Sequence, residues 1–483
     1  MNAGITLLGL GPGNPAALTI EAWEVLNGCK EVYVRTRQHP TVDAFPKGVQ
    51  IHSFDHLYDQ VEDYKAVYHQ IVERIIELGH RPGGVIYAVP GHPFVAEATG
   101  IGVARRSHAE GIRLRVVPGL SFLEPVYTAL NIDPFPHMTL VDALEIAGLH
   151  VPPFPPNVHA LIAQLYSRQV ASEVKLTLMF HYPDEHPVYL VHAAGMVDEK
   201  VEQLPLYAID RSAEIGLLSS LYLPPLDKET SFEAFQEVIA RLRAPDGCPW
   251  DKEQTHKSLR PHLLEEAYET LAALDAEDAG ALKEELGDLL LQIFLHAQIA
   301  GEEGEFAMAD ILAHIHKKIV LRHPHVFAGL QLEDVEGVLH NWERLKAAER
   351  AANGEGEKGL LDGVSVTLPA LAQAEAFQKR AARVGFDWPD VEGVMSKVLE
   401  ELEEFRAATT TDIKAEEIGD LLFAVVNLSR WYGVDAESAL REANARFKQR
   451  FNHIERGARE QGRSLDQMSL QEMDALWDEA KGV

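Results

Sequence analysis

Two stretches of this sequence, 135 residues apart, read almost alike. LLEEAYETL at Leu263–Leu271 is followed by EELGDLLLQI at Glu284–Ile293, and VLEELEEF at Val398–Phe405 is followed by EEIGDLLFAV at Glu416–Val425. Acids three or four residues apart share one face of an α-helix, so each copy predicts two helices that carry carboxylates on one side and apolar residues on the other. If each pair packs antiparallel, four or five carboxylates meet at one spot. The chain after Ser231 therefore reads as all-α and internally duplicated.

The first part has a different texture. β-branched runs at Ile5–Leu8, Val32–Val34, Val85–Val89, Leu114–Val117, Leu176–Phe180 and Val188–His192 alternate with helical stretches, which predicts an α/β fold of two lobes. The proline-rich segment VPPFPP, Val151–Pro156, is expected to be the joint between those lobes. Domain boundaries are expected at 1–224 for the α/β domain, 225–352 for the first helical module, 353–368 for a glycine-rich linker and 369–483 for the second module.

Charge narrows the function classes. The chain carries 24 acidic against 15 basic residues up to Leu223 and 50 against 29 after it, for a formal net charge of −30. Such a field repels a nucleic-acid backbone, and no basic stripe offsets it, so nucleic-acid binding is excluded as an expectation. The apolar stretch Leu286–Ala300 is broken by Asp288, Gln292 and His296, so no membrane span is expected. Cys29 and Cys248 form no C-x-x-C pair, and the amino terminus has no basic n-region, which together predict a cytoplasmic enzyme with reduced thiols.

The carboxylate sets are Glu265, Glu266, Glu269, Glu285 and Asp288 in the first copy, and Glu400, Glu401, Glu404, Glu417 and Asp420 in the second. An exposed acidic helix face would also give such runs, but two matching sets beside the apolar LLLQI and LLFAV are poorly placed for solvation alone. Mg²⁺ is the natural counter-ion, since it prefers oxygen ligands and engages substrate phosphates. Cationic candidates for holding phosphates are Lys317, Lys318 and Arg322 in the first copy and Arg446, Lys448 and Arg450 in the second. Trp250 and Trp388 could stack on a base or anchor a core.

The order EExxE then ExxD resembles the MazG nucleoside triphosphate pyrophosphohydrolases. GCPWDKEQTHKSL at Gly247–Leu259, RHPHVF at Arg322–Phe327, WERLK at Trp342–Lys346, VGFDW at Val384–Trp388 and NARFKQRF at Asn444–Phe451 are similar to MazG motifs in MazG order. The resemblance implies paired all-α modules, a homodimer, and Mg²⁺-dependent hydrolysis of a nucleoside triphosphate to monophosphate and pyrophosphate. It favours the second copy as the active one, with Glu400, Glu401, Lys448 and Arg450 as the catalytic candidates, although both carboxylate sets are complete.

At the amino terminus, ITLLGLGPG at Ile5–Gly13 is a strand running into a glycine-rich turn, where backbone N–H groups can approach a ligand. With VPGHPFVAE at Val89–Glu97 and VPGLSF at Val117–Phe122, it resembles the tetrapyrrole methylases. That resemblance implies S-adenosylmethionine bound by loops matching Gly9, Gly11, Pro12 and Gly13, then Gly91, His92 and Pro93, then Ser121 and Phe122. His92 replaces the acid common in that family's second loop, which leaves the methyl acceptor open. A methylase-like domain fused to MazG is the arrangement of YabN-type bacterial proteins. The principal expectation is a pyrophosphohydrolase with a methylase-like binding module. The alternatives are an S-adenosylmethionine-dependent methyltransferase with a regulatory or dimerising MazG half, and a binding protein with two vestigial sites.

Overall fold

The computed structural model describes residues 4–58, 64–331, 334, 337–338, 341–342, 344–346 and 359–481. The chain divides into two compact units, Met1–Val238 and Ile239–Val483. The division falls inside the helix Phe232–Arg243, later than the expected boundary at 224. Of the linker expected at 353–368, residues 353–358 lie outside the described residues.

The first lobe is a parallel sheet of β1 (Ile5–Gly9), β2 (Glu31–Val34), β3 (Gln50–Ser53), β4 (Val85–Val89) and β5 (Leu114–Val117), in the order β3-β2-β4-β1-β5. Its central strands are buried on both faces, which is why β4 reads as an unbroken apolar run. Val85, Tyr87 and Val89 face α2 (Tyr64–Gly79) and its Val67, Ile71 and Ile75, while Ile86 and Ala88 face α1 (Ile20–Gly28) and its Ala22 and Leu26. The helix α3 (Ala98–Ala109) follows β4, and α4 (Leu123–Leu130) follows β5.

The second lobe is a mixed sheet of β6 (Met138–Asp142), β7 (His159–Ala163), β8 (Pro187–His192), β9 (Lys200–Pro205) and β10 (Ser219–Leu223), ordered β6-β7-β10-β8-β9. Two expectations are corrected here. Leu176–Phe180 is not a strand: α5 (Arg168–Leu178) runs through it, capped by the Ser167 side chain and burying Val170, Ala171, Val174 and Leu178 at helical spacing. VPPFPP is not the joint between lobes, because Phe154 is buried in the second lobe's own core and the Pro156 carbonyl accepts the Tyr182 hydroxyl. The crossing lies earlier, between β5 and β6, where Phe122, Leu123 and Tyr127 around α4 pack on Leu161, Val191 and Tyr222.

The second unit is helical, with no strand among the described residues. The helices that matter below are α6 (Arg260–Asp275), α7 (Ala279–Glu303), α8 (Met308–Arg322), α9 (Val391–Ala407), α10 (Thr411–Trp431), α11 (Ala436–Glu460) and α12 (Leu470–Lys481). An Arg441–Asp275 ion pair at 2.8 Å ties α11 of the second module to α6 of the first. No described helix is long and apolar enough to cross a membrane.

Candidate functional site

Each acidic repeat folds as a helical hairpin with a three-residue turn. Between α6 and α7 the Asp278 carboxylate caps the new helix by accepting from the N–H groups of Gly280 and Ala281. Between α9 and α10 Thr410 does the same for Ile413. Thr270 lies one turn beyond Glu266, and its hydroxyl donates to the Glu266 carbonyl at 2.8 Å and approaches the Glu285 carbonyl at 3.5 Å. That side chain joins the two helices beside the acids.

The hairpins bring together the carboxylates that the sequence singled out. Oxygens of Glu266, Glu269 and Glu285 lie within 4.8 Å of one another, and so do those of Glu401, Glu404 and Glu417 at the equivalent positions. Burial and then the neighbouring charges of Asp288, Glu269, Glu265 and Glu285 push the Glu266 carboxyl above its usual range. Glu285 is raised by burial and by Glu269, and Glu417 by burial and then Glu404, Glu401 and Asp420. Asp288 and Asp420 thus act on the clusters through their fields. Glu265 and Glu400 are exposed at the margin, where Glu265 sits 3.8 Å from His262 and Glu400 2.9 Å from Lys397. Glu401 is only 5% exposed and lies 2.6 Å from the Lys397 ammonium.

The cations fall into a repeated arrangement that the sequence reading caught only in part. Trp342 has the Arg322 guanidinium 5.7 Å from its ring centroid and the Lys346 ammonium at 5.0 Å. In the second module Arg450 lies 5.5 Å over Trp477, which also packs on Phe447. Trp477 and Lys481 were missed, although WDEAK has the same Trp-to-Lys spacing as WERLK. Arg446 pairs with Glu442, and Lys448, two residues from both arginines, points about 200° away from them around α11. Lys317 is exposed, Lys318 half-buried, and Trp250 and Trp388 are partly exposed. A further group, His256 with Glu303 and Glu305, also gathers within 4.8 Å, and the sequence reading had not separated it from its motif.

In the first unit the three glycine loops meet backbone to backbone. A Cβ on Gly9 would come within 2.4 Å of the Gly119 nitrogen and 2.7 Å of the Gly91 carbonyl oxygen, so side chains are excluded there. Gly11 and Gly91 exchange backbone hydrogen bonds at 3.2 and 2.8 Å, and both have left-handed φ, +71° and +63°. The second lobe reaches this place through Asn14, which donates to the Gly195 carbonyl. Pro12 and Gly13 lie on that side, facing Gly195 and Met196. His92 accepts from the Phe94 N–H, and the Pro93 carbonyl lies against Gly100. Ser121 is buried and bonded to Glu124, while Phe122 packs on the second sheet.

Two supports of the first loop come from β2's far end and were not read from the sequence. Thr41 donates to the carbonyls of Leu10 and Gly13, and His39 bonds the Gly11 backbone while its buried Nδ1 has no partner. Burial holds the His39 imidazole down at about 4. Its folded value lies below the unfolded one, so this contribution to stability is complete above about pH 6.5 and is lost as pH falls toward 4, by up to about 3 kcal/mol. His39→Gln is expected to flatten the pH dependence of the unfolding midpoint across that window. An unchanged slope in the variant would contradict this role.

Comparison with known proteins separates the two halves. The tetrapyrrole (corrin/porphyrin) methylases match residues 4–210, and the MazG nucleotide pyrophosphohydrolase domain matches 254–327, the stretch that holds the first acidic hairpin. The Bacillus subtilis (strain 168) protein YabN is 43% identical over 99% of this chain and 98% of its own length. The chain belongs to the YabN family of methylase–MazG fusions. The MazG nucleoside triphosphate pyrophosphohydrolase/pyrophosphatase of Thermotoga maritima is 42% identical over 52% of this chain and 96% of its own. The nucleoside triphosphate pyrophosphohydrolase of Escherichia coli (strain K12) is 45% identical over 50% and 94%. As a YabN-family protein, the chain thus joins an α/β methylase domain to a helical MazG region, as the residues and motifs predicted. Outside the 254–327 match, the second hairpin carries the same carboxylates at equivalent positions.

Proposed function

We propose that the helical unit hydrolyses nucleoside triphosphates to the monophosphate and pyrophosphate with Mg²⁺. The observation that carries this reading is the convergence of three carboxylates within 4.8 Å in each hairpin. Their all-oxygen donor set suits a hard divalent cation, and carboxyls raised by burial and then by one another's charge are ones that such a cation would return to the charged form. Glu266, Glu269, Glu285 and Asp288 would hold it in one hairpin, and Glu401, Glu404, Glu417 and Asp420 in the other. When bound, Mg²⁺ supplies polarisation of the α-phosphate and neutralisation of the pyrophosphate charge.

The rest is work for the chain's own groups. Glu265 and Glu400, at the margins of the clusters, are placed to orient water and take its proton. Arg322 and Lys346, both over the Trp342 ring, and Arg450, over Trp477, hold phosphate oxygens, the tryptophans fixing their direction. Lys448 serves the substrate only if the nucleotide lies across the other face of α11. Phosphorus NMR of a nucleoside triphosphate with the protein and Mg²⁺ should show pyrophosphate and monophosphate, and neither after chelation. Release of inorganic phosphate instead would refute the reading.

For the first unit the reading is S-adenosylmethionine binding at the glycine loops. Two features support it: the backbones of Gly9, Gly91 and Gly119 meet where the three loops converge, and His39, which bonds the Gly11 backbone, keeps a buried Nδ1 without a partner. The acceptor of any methyl group is open. The reading also includes a cytoplasmic homodimer: Leu312, Ile315 and Ile319 on α8, and Ile418, Leu422 and Val425 on α10, form exposed apolar stripes at helical spacing. Light scattering at micromolar concentration should give twice the chain mass, and a monomer would remove this part.

A further inference from the structure

The two acidic hairpins differ in one neighbour. Four residues before Glu401 stands Lys397, whose ammonium lies 2.6 Å from Glu401 and 2.9 Å from Glu400. Four residues before Glu266 the repeat has His262, which approaches Glu265 at 3.8 Å and sets its ring edge-on to Trp250. Among the described residues no Lys or Arg is paired with Glu266, Glu269 or Glu285. One hairpin thus carries a tethered cation on its most buried carboxylate, and the other carries none.

We propose that the hairpins are unequal divalent-cation sites, the first filling at lower metal concentration because Lys397 already occupies Glu401 in the second. A metal entering the second cluster must displace the ammonium from Glu401, and the lysine then remains beside it as a like charge held by Glu400. His262 approaches only the marginal Glu265, at 3.8 Å, and sits on none of the three converging carboxylates, so nothing has to be displaced from the first cluster. One unit charge opposing a divalent ion across a few ångströms of solvated protein weakens binding by about tenfold or more. Lys397 would therefore set the metal threshold of its hairpin, so that one is loaded at low Mg²⁺ and the second only as Mg²⁺ rises. The inference rests on the reading of both clusters as metal sites.

The test is a titration of the full chain with Mn²⁺ at pH 8, the free ion being counted by its electron paramagnetic resonance signal. Wild type should show two classes of site about tenfold apart, the tighter class lost in Glu266→Gln and the weaker in Glu401→Gln. Lys397→His should tighten the weaker class toward the first, His262→Lys should weaken the tighter one, and Lys397→Arg, which keeps the charge, should leave the classes apart. Both tuning positions are partly exposed, so these variants should fold, which their circular dichroism checks. Equal affinities in wild type, or a weaker class that Lys397→His does not move, would overturn the inference while leaving both clusters as metal sites. An isotherm that neither Glu266→Gln nor Glu401→Gln alters would overturn the metal reading itself, and this inference with it.

Discussion

Replacing Glu266 and Glu401 together by glutamine is expected to lower pyrophosphate release about 10²–10³-fold while the protein stays folded. Metal assistance at a transferring phosphoryl group is worth several kcal/mol, and about 3–4 kcal/mol corresponds to that range of rate. Glutamine keeps the shape of each side chain and removes one anionic ligand from each cluster. The structure also separates lost chemistry from lost folding. Glu266 sits among four carboxylates that raise its proton affinity, so neutralising it relieves repulsion, and the metal-free unfolding midpoint of Glu266→Gln should not fall. Glu401 has the Lys397 partner, so its substitution should cost a little stability instead. The single variants divide the activity between hairpins. If turnover resides in the second, as the family resemblance favours, Glu401→Gln alone accounts for the loss.

The largest expected effect on stability lies far from those acids in sequence. Glu97, 2% exposed, caps α3 by accepting from the Thr99 N–H and hydroxyl and pairs with Arg35. Arg35 in turn donates to the hydroxyls of Tyr58 at 3.0 Å and Tyr68 at 3.2 Å, and Thr99 meets the Tyr87 hydroxyl at 2.7 Å. Glu97→Ala would leave a guanidinium in the core without its anion and the helix without its cap. Breaking a buried pair in this way costs about 3–5 kcal/mol, enough to lower the midpoint of the first unit markedly. Arg35→Met combined with Glu97→Leu should recover much of that loss, because desolvating both charges is itself costly. If Glu97→Ala unfolds at the wild-type midpoint, the pair is not the support described here.

What could be read from the sequence follows the range of the interactions. The acidic hairpins were legible because their ligands are local: Glu266 and Glu269, like Glu401 and Glu404, are separated by three residues, and the second helix repeats an ExxD spacing. The strands β1, β2, β4, β5 and β8 were legible from their β-branched runs. Leu176–Phe180 misled because TLM is equally at home in the last turn of a helix, and only the burial of Val170 and Val174 decides. VPPFPP misled because proline marks an irregular segment without saying which lobe owns it. His39 and Thr41 reach the glycine turn from 28 to 31 residues away along the chain, and no pattern in either segment announces the contact. Lys397 was visible in the sequence, but its meaning required the comparison of its ammonium with His262 at the same place in the other hairpin.

The measurement that bears most directly on the central claim is hydrolysis of a nucleoside triphosphate in ¹⁸O-labelled water with Mg²⁺, followed by mass analysis of the products. One labelled oxygen is expected in the nucleoside monophosphate and none in the pyrophosphate, with both products formed about 10²–10³-fold more slowly by the Glu266→Gln/Glu401→Gln protein. Label in pyrophosphate or inorganic phosphate, or turnover at the wild-type rate in the double variant, would contradict that claim.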